Sequence, residues 1–142
     1  MLKGIDPIIA PELLMVLASM GHGDEVVIAD ANFPAASVAR DSVHGQLLRM
    51  DCTAPRAVRA VLSLLPVDRY EPDPVLSMQV VGDPTAIPEA VAETAPLFAA
   101  EGVAIAGLER FAFYARARRA FAVIRTCETR PYGNFIIRKG VI

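Results

Sequence analysis

Residues 20–34 read Met20-Gly21-His22-Gly23-Asp24-Glu25-Val26-Val27-Ile28-Ala29-Asp30-Ala31-Asn32-Phe33-Pro34. The apolar run Val26 to Ala29, set between glycine and charge on one side and Asp30 on the other, predicts a short buried strand. Gly21 and Gly23 leave the loop before it free to take positive φ and clear the space around His22, so the imidazole can face a ligand. Asp30 falls where the strand should end, and open α/β sheets bind ligands outside the carboxyl ends of their strands. His22, Asp24 and Asp30 are therefore expected to converge on one site. Asp24 or Asp30 can orient the imidazole, and adjacency favours Asp24.

Working outward from this strand, helices and strands alternate. Pro11-Glu12 opens a helix with Leu13, Leu17 and Met20 on one face, stopped by Gly21. Beyond Pro34, a short helical piece to Val38 and a strand over 46–50 are expected. Thr53 is a good N-cap for a helix over 54–65, whose Val58, Val61, Leu62 and Leu65 repeat at helical spacing before Pro66 ends it. Residues 70–74 read as a loop, and 75–81 as a buried strand. A helix over 88–100 is expected to break or kink at Pro96 and to be capped by Gly102. A strand over 103–108 and a helix over 110–120 follow, the latter turning Phe111, Tyr114 and Phe121 to one side. Strands over 122–126 and 135–138 close the chain. Joined by a loop too short for a crossover helix, these two should be antiparallel. The pattern predicts one α/β domain over 1–142, a three-layer α/β/α arrangement on a mixed, mostly parallel sheet.

The composition narrows the function. At 142 residues the chain can bury a core without disulfides or metal, and its 54% hydrophobic content exceeds a typical domain's while no stretch is long enough for a membrane span. The excess points to subunit interface. Cys52 and Cys127 have no metal-type spacing, and the start Met1-Leu2-Lys3-Gly4 lacks a secretory pattern, so a cytoplasmic protein with free thiols is expected. A net charge of −2 gives no electrostatic reason for nucleic acid or an anionic membrane as partner, and a neutral ligand suits it.

Among the reactive groups, His22 is the natural general acid or base, able to hold and release a proton near neutrality. Metal chemistry has little support, because only two histidines exist and no cysteine is placed near His22. G-H-G-D precedes a strand and matches no phosphate-loop pattern, and no serine stands in a nucleophile elbow. Arg110 before Phe111-Ala112-Phe113-Tyr114, and Tyr132-Gly133-Asn134 near the end, supply hydroxyl-binding donors and acceptors with aromatic faces suited to stacking on a sugar.

Together, Leu2-Lys3-Gly4-Ile5, Pro11-Glu12-Leu13-Leu14, the G-H-G-D-E block at 21–25, Asp30, Phe33-Pro34, R-F-A-F-Y at 110–114, Tyr132-Gly133-Asn134 and Lys139-Gly140-Val141 resemble the RbsD/FucU family, and within it the L-fucose mutarotase branch. The resemblance spans nearly the whole chain, although residues 35–100 carry almost none of it. It implies a cofactor-free isomerase that interconverts the anomers of a free monosaccharide, with His22 as proton donor and sugar contacts from Asp30, Arg110, Tyr132 and Asn134. It also implies a cytoplasmic homo-oligomer, such as a decameric ring, with the site completed across a subunit boundary and the terminal Tyr132–Asn134 segment reaching a neighbour's pocket. The alternatives are a D-ribose pyranase-type activity, a non-catalytic sugar-binding module and a purely structural oligomerisation domain.

Overall fold

The computed structural model describes residues 2–142. Its centre is β1 (Glu25–Ala29), which runs parallel to β5 (Ala122–Thr126) on one side and antiparallel to β6 (Phe135–Arg138) on the other. With β2 (Leu47–Met50), β3 (Val75–Met78) and β4 (Ile105–Leu108), the sheet has six strands in the order β2-β5-β1-β6-β3-β4. Only β6 is reversed, so the other strands all end on one edge of the sheet, here called the upper edge. The expected opposition of the last two strands is present, but they are not neighbours. The loop from 127 to 134 carries the chain over the end of β1, which lies between them.

Side chains alternate across the sheet as strand geometry requires. Val26, Ile28, Ala122, Ile124, Phe135 and Ile137 face a core shared with α1 (Pro11–Ser19), α3 (Ala54–Leu62) and α4 (Glu89–Ala100). Val27, Ala29, Val123 and Ile136 face the other, packed against α2 (Ala35–Asp41) and α5 (Arg110–Arg118). This is the expected three-layer α/β/α domain with a mixed, mostly parallel sheet.

Local departures from the sequence reading have physical causes. The α4 helix runs through Pro96 without stopping, since both Pro96 and Ala92 lie on its exposed face, where water can take the carbonyl that proline cannot serve. Thr53 stands at the N-cap of α3 but its side chain makes no cap bond. The Ala54 amide instead donates to Glu128 Oε2 at 3.3 Å. The α5 helix is rotated from the expected phase: Phe113 and Ala117, four apart, face the core, which leaves Phe111 72% exposed. Strand β3 stops at Met78, and Val80 instead bridges Asp83 around a turn in which Gly82 has φ +80°.

Candidate active site

The direction of β1 decides where the functional groups lie. Asp30 follows its last residue and sits on the upper edge, whereas His22 precedes its first and sits on the lower edge. Five strand residues alone separate them by about 17 Å. The expected convergence of His22, Asp24 and Asp30 does not occur within one chain. A period-two strand places residues at its two ends on opposite edges, however close they are in sequence.

On the upper edge the structure brings together four residues singled out from the sequence. Asp30, Arg110, Tyr132 and Asn134, with Phe33 and Tyr114, line a pocket of about 280 Å³, near the lower limit of roughly 300 Å³ usual for small-molecule sites. Arg110 arrives because β4 ends there and α5 begins, and Asn134 because the reversed β6 begins there. Asp30 and Asn134 grip each other. The Asp30 amide donates to Asn134 Oδ1 at 2.9 Å, and Asn134 Nδ2 donates to Asp30 Oδ2 at 3.0 Å. Asp30 also accepts from the amides of Asn32 (3.0 Å), Phe33 (2.9 Å) and Gly133 (3.2 Å). Burial pushes its carboxyl above the ordinary value, and those four donors oppose the shift.

The pocket walls are also fixed. Tyr132 holds φ +60° and its hydroxyl accepts from the Val81 amide at 3.3 Å. The Arg110 guanidinium lies 5.7 Å from the Phe111 ring centre and 5.6 Å from that of Tyr114, and its Nε donates to the Tyr114 hydroxyl at 3.4 Å. Phe33 packs at 5.5 Å against Tyr114. The result is a polar floor with an aromatic and cationic side.

Glu128, which sequence reasoning missed, supports this floor from behind. It is buried, accepts from the Arg130 backbone (3.0 Å), Arg130 Nε (2.9 Å) and Nη2 (2.8 Å), and its own carbonyl accepts from Ala31 at 2.8 Å. Arg130 and the amides of Arg130 and Ala54 hold its carboxyl down at about 2. Arg130 reaches on to Glu89 at 3.1 Å and Glu93 at 2.7 Å, tying the loop to α4. A Cβ on Gly133 would come within 2.9 Å of Glu128 Cγ, so this glycine permits the close approach of the loop.

The lower edge has a different partner for His22 from the one expected. Asp24 accepts from the Gly21 amide at 2.7 Å and so closes the loop on itself. The acid beside His22 is Asp68, fully buried, with Oδ2 3.5 Å from His22 Nε2 and 3.2 Å from Arg138 Nε. The Tyr70 amide, donating to Oδ1 at 3.0 Å, and then the charges of His22 and Arg138 hold the Asp68 carboxyl below its ordinary value. The Tyr70 ring meets the imidazole edge-on at 6.4 Å. Asp68 gets there because residues 67–68 pair with 138–140: its amide donates to the Arg138 carbonyl at 3.0 Å, and Gly140 passes so near that a Cβ would lie 2.6 Å from the Val67 carbonyl oxygen. Gly23 (φ +87°) donates to the Lys139 carbonyl at 2.9 Å, which completes the frame around His22. No local signal marks Asp68 in the sequence, where it lies between the helix expected over 54–65 and the loop expected over 70–74.

Among the described residues no group of three or more histidine, cysteine or acidic side chains could hold a metal ion, and no helix is long and apolar enough to cross a membrane. With the geometry in view, comparison with known proteins is decisive on lineage. The sequence pattern described as the RbsD / FucU transport protein family matches residues 3–142. The chain belongs to the RbsD/FucU family. Bovine fucose mutarotase is 42% identical over 146 residues, covering 99% of this chain and 94% of the relative. L-fucose mutarotase of Histophilus somni is 41% identical over 145 residues, covering 99% of this chain and 97% of its own length. The solved structure of the Streptococcus pneumoniae fucose mutarotase in complex with L-fucose is 39% identical, superimposes with a TM-score of 0.88, and covers 99% of both chains.

Proposed function

We propose that this RbsD/FucU protein is a cofactor-free L-fucose mutarotase, interconverting the α and β anomers of the free sugar. The observation that carries the reading is the upper-edge pocket, in which Asp30, Arg110, Tyr132 and Asn134 surround a space of about 280 Å³ with no serine, cysteine or lysine in its lining. Anomer exchange needs no such nucleophile. A proton reaches the ring oxygen while another leaves the anomeric hydroxyl, the ring opens, the C1 carbonyl turns over, and the two transfers run in reverse. His22 is the proposed proton donor. The buried Asp68 carboxylate, 3.5 Å from Nε2, faces the imidazole and orients it. Asp24 acts on the loop that presents His22, through its bond to Gly21.

His22 and the pocket are separated by the height of the sheet, so one monosaccharide cannot touch both in a single chain. The reading therefore requires a homo-oligomer in which His22 of one copy faces the pocket of the next. Two observations support this. His22 stands on the rim of a hollow of about 550 Å³ lined mainly by apolar groups such as Leu14, Leu17, Leu64 and Val141. Val141 and Ile142 are exposed beside it, an apolar surface that suits burial by a second copy.

The test is magnetisation transfer between anomers of a sugar already at anomeric equilibrium. Exchange on L-fucose well above the spontaneous rate, and faster than on D-ribose, is expected. Line broadening of both sugars without exchange would leave only a binding module.

A further inference from the structure

The two cysteines have no part in the proposed proton transfers, yet the fold brings them together from positions far apart in sequence. Cys52 lies on the turn between β2 and α3, and Cys127 directly follows β5. The Cys127 amide donates to the Cys52 carbonyl at 2.9 Å, continuing the β2·β5 pairing beyond Met50 and Thr126. With standard bond lengths that contact sets their Cα atoms about 6 Å apart, inside the range of roughly 4.4–6.8 Å that a disulfide spans. The Cys127 sulfur points to the same turn, 3.7 Å from Oδ1 of Asp51, the residue before Cys52. We propose that Cys52 and Cys127 are an oxidisable pair that forms an intramolecular disulfide by exchange with a small-molecule disulfide, clamping the segment behind the sugar pocket.

The two sulfurs have different roles in that exchange. Cys127 is exposed, whereas Cys52 is half-buried, and burial pushes its thiol up. Cys127 therefore loses its proton and attacks the small disulfide, forming a mixed disulfide and releasing one thiolate, which takes up a proton. Cys52 then loses its proton and attacks the Cys127 sulfur, expelling the second thiolate, which is protonated in turn. Two electrons pass from the pair to the small disulfide, leaving one protein disulfide and two small thiols. The bond fastens the start of α3, whose Ala54 amide already donates to Glu128, to the residue preceding Glu128. Glu128 in turn backs the loop that carries Tyr132, Gly133 and Asn134. Because the bond joins positions 52 and 127, it restricts a long loop of the unfolded chain, and a rise of about 5–10 °C in melting midpoint is expected.

The inference stands on these contacts and not on the sugar reading. The experiment incubates the full-length protein with oxidised glutathione and follows intact mass, non-reducing peptide maps and thermal melting. The expected product has lost two hydrogens, yields a crosslinked peptide containing Cys52 and Cys127, melts higher, and reverts with dithiothreitol. Cys52→Ser should stop at one glutathione, held on Cys127, with no rise in melting midpoint. Glutathione on both cysteines without a crosslink, disulfides between chains, or two unmodified cysteines would each overturn the pairing. A crosslink that leaves the midpoint unchanged would overturn the clamp.

Discussion

The two edges of the sheet are built in opposite ways. On the upper edge every oxygen of Asp30 is occupied, Asn134 is bonded in both directions, and Glu128 is saturated by Arg130 and two backbone amides. On the lower edge the His22 side chain is 49% exposed, and Asp68 Oδ2 has His22 and Arg138 near it but no well-aligned hydrogen bond. A saturated network holds a shape, and an open one leaves a group free to act. The pocket is preformed within the chain, while His22, the proposed acid/base group, stands at an open margin. Breaking either edge should therefore give a different kind of loss.

The largest effect belongs to the lower edge. His22→Ala should slow L-fucose anomer exchange by about 10²–10⁴-fold, the usual contribution of a positioned acid or base, with the circular dichroism spectrum and melting midpoint unchanged. An alanine variant that exchanges anomers at the wild-type rate would remove His22 from the chemistry altogether.

The upper edge should show its role in acid stability instead. Glu128 is held at about 2, below the 4.5 of a free glutamate. A depressed acid contributes fully above its unfolded value, and the contribution fades as pH falls from 4.5 through about 2. It amounts to about 3 kcal/mol at neutral pH. Denaturation midpoints measured across that window should fall steeply for the wild type and less steeply for Glu128→Gln. Asp30 works with the opposite sign, since burial raises its carboxyl and protonation on acidification relieves the cost. Equal slopes for the wild type and the variant would show that the Arg130 clamp contributes nothing.

Back on the lower edge, the two acids near His22 should separate. Asp68→Asn keeps the shape but removes the buried charge, and exchange should slow by about 10-fold while the fold persists. Asp24→Asn can still accept from the Gly21 amide, so exchange should change by less than about 2-fold. The reverse ranking in the same NMR assay would return the orienting role to Asp24.

The sequence was informative where a feature is local. Val26–Ala29, Ala122–Thr126 and Phe135–Arg138 are short, largely apolar runs, and each is a strand in the structure. His22, Asp30, Arg110, Tyr132 and Asn134 stand out because each sits beside a glycine, at a strand end or in an aromatic cluster. What could not be read depends on pairing between distant segments. Asp68 reaches His22 only through the register of Val67 with Lys139, and Glu128 matters only because Ala54 and Arg130 meet it. The separation of His22 from Asp30 was hidden for a related reason. Their closeness in sequence suggested one site, and only the direction of β1 relative to its ends, seen with the reversed β6 beside it, places them on opposite edges.

A partial recovery of activity, not a further loss, is what tests the link between the edges. If His22 of one copy completes the pocket of the next, a His22→Ala chain still offers an intact pocket, and an Asn134→Ala chain still offers an intact imidazole. Each variant alone has every site damaged. In a closed ring one heterologous contact is repeated at every boundary, so random mixing in equal amounts leaves about a quarter of the boundaries with both groups intact. The mixture, dissociated and reassembled with hybrids verified by native mass, should therefore recover about a quarter of wild-type exchange. Loss of Asn134 also removes two of the bonds that hold Asp30, so the Asn134→Ala chain must first be shown to melt as a folded protein. Recovery with folded subunits requires the two edges to meet across a boundary, because neither parent chain contains both halves. Verified hybrids that remain inactive, or a fully active monomer by sedimentation, would mean that the site is built within one chain.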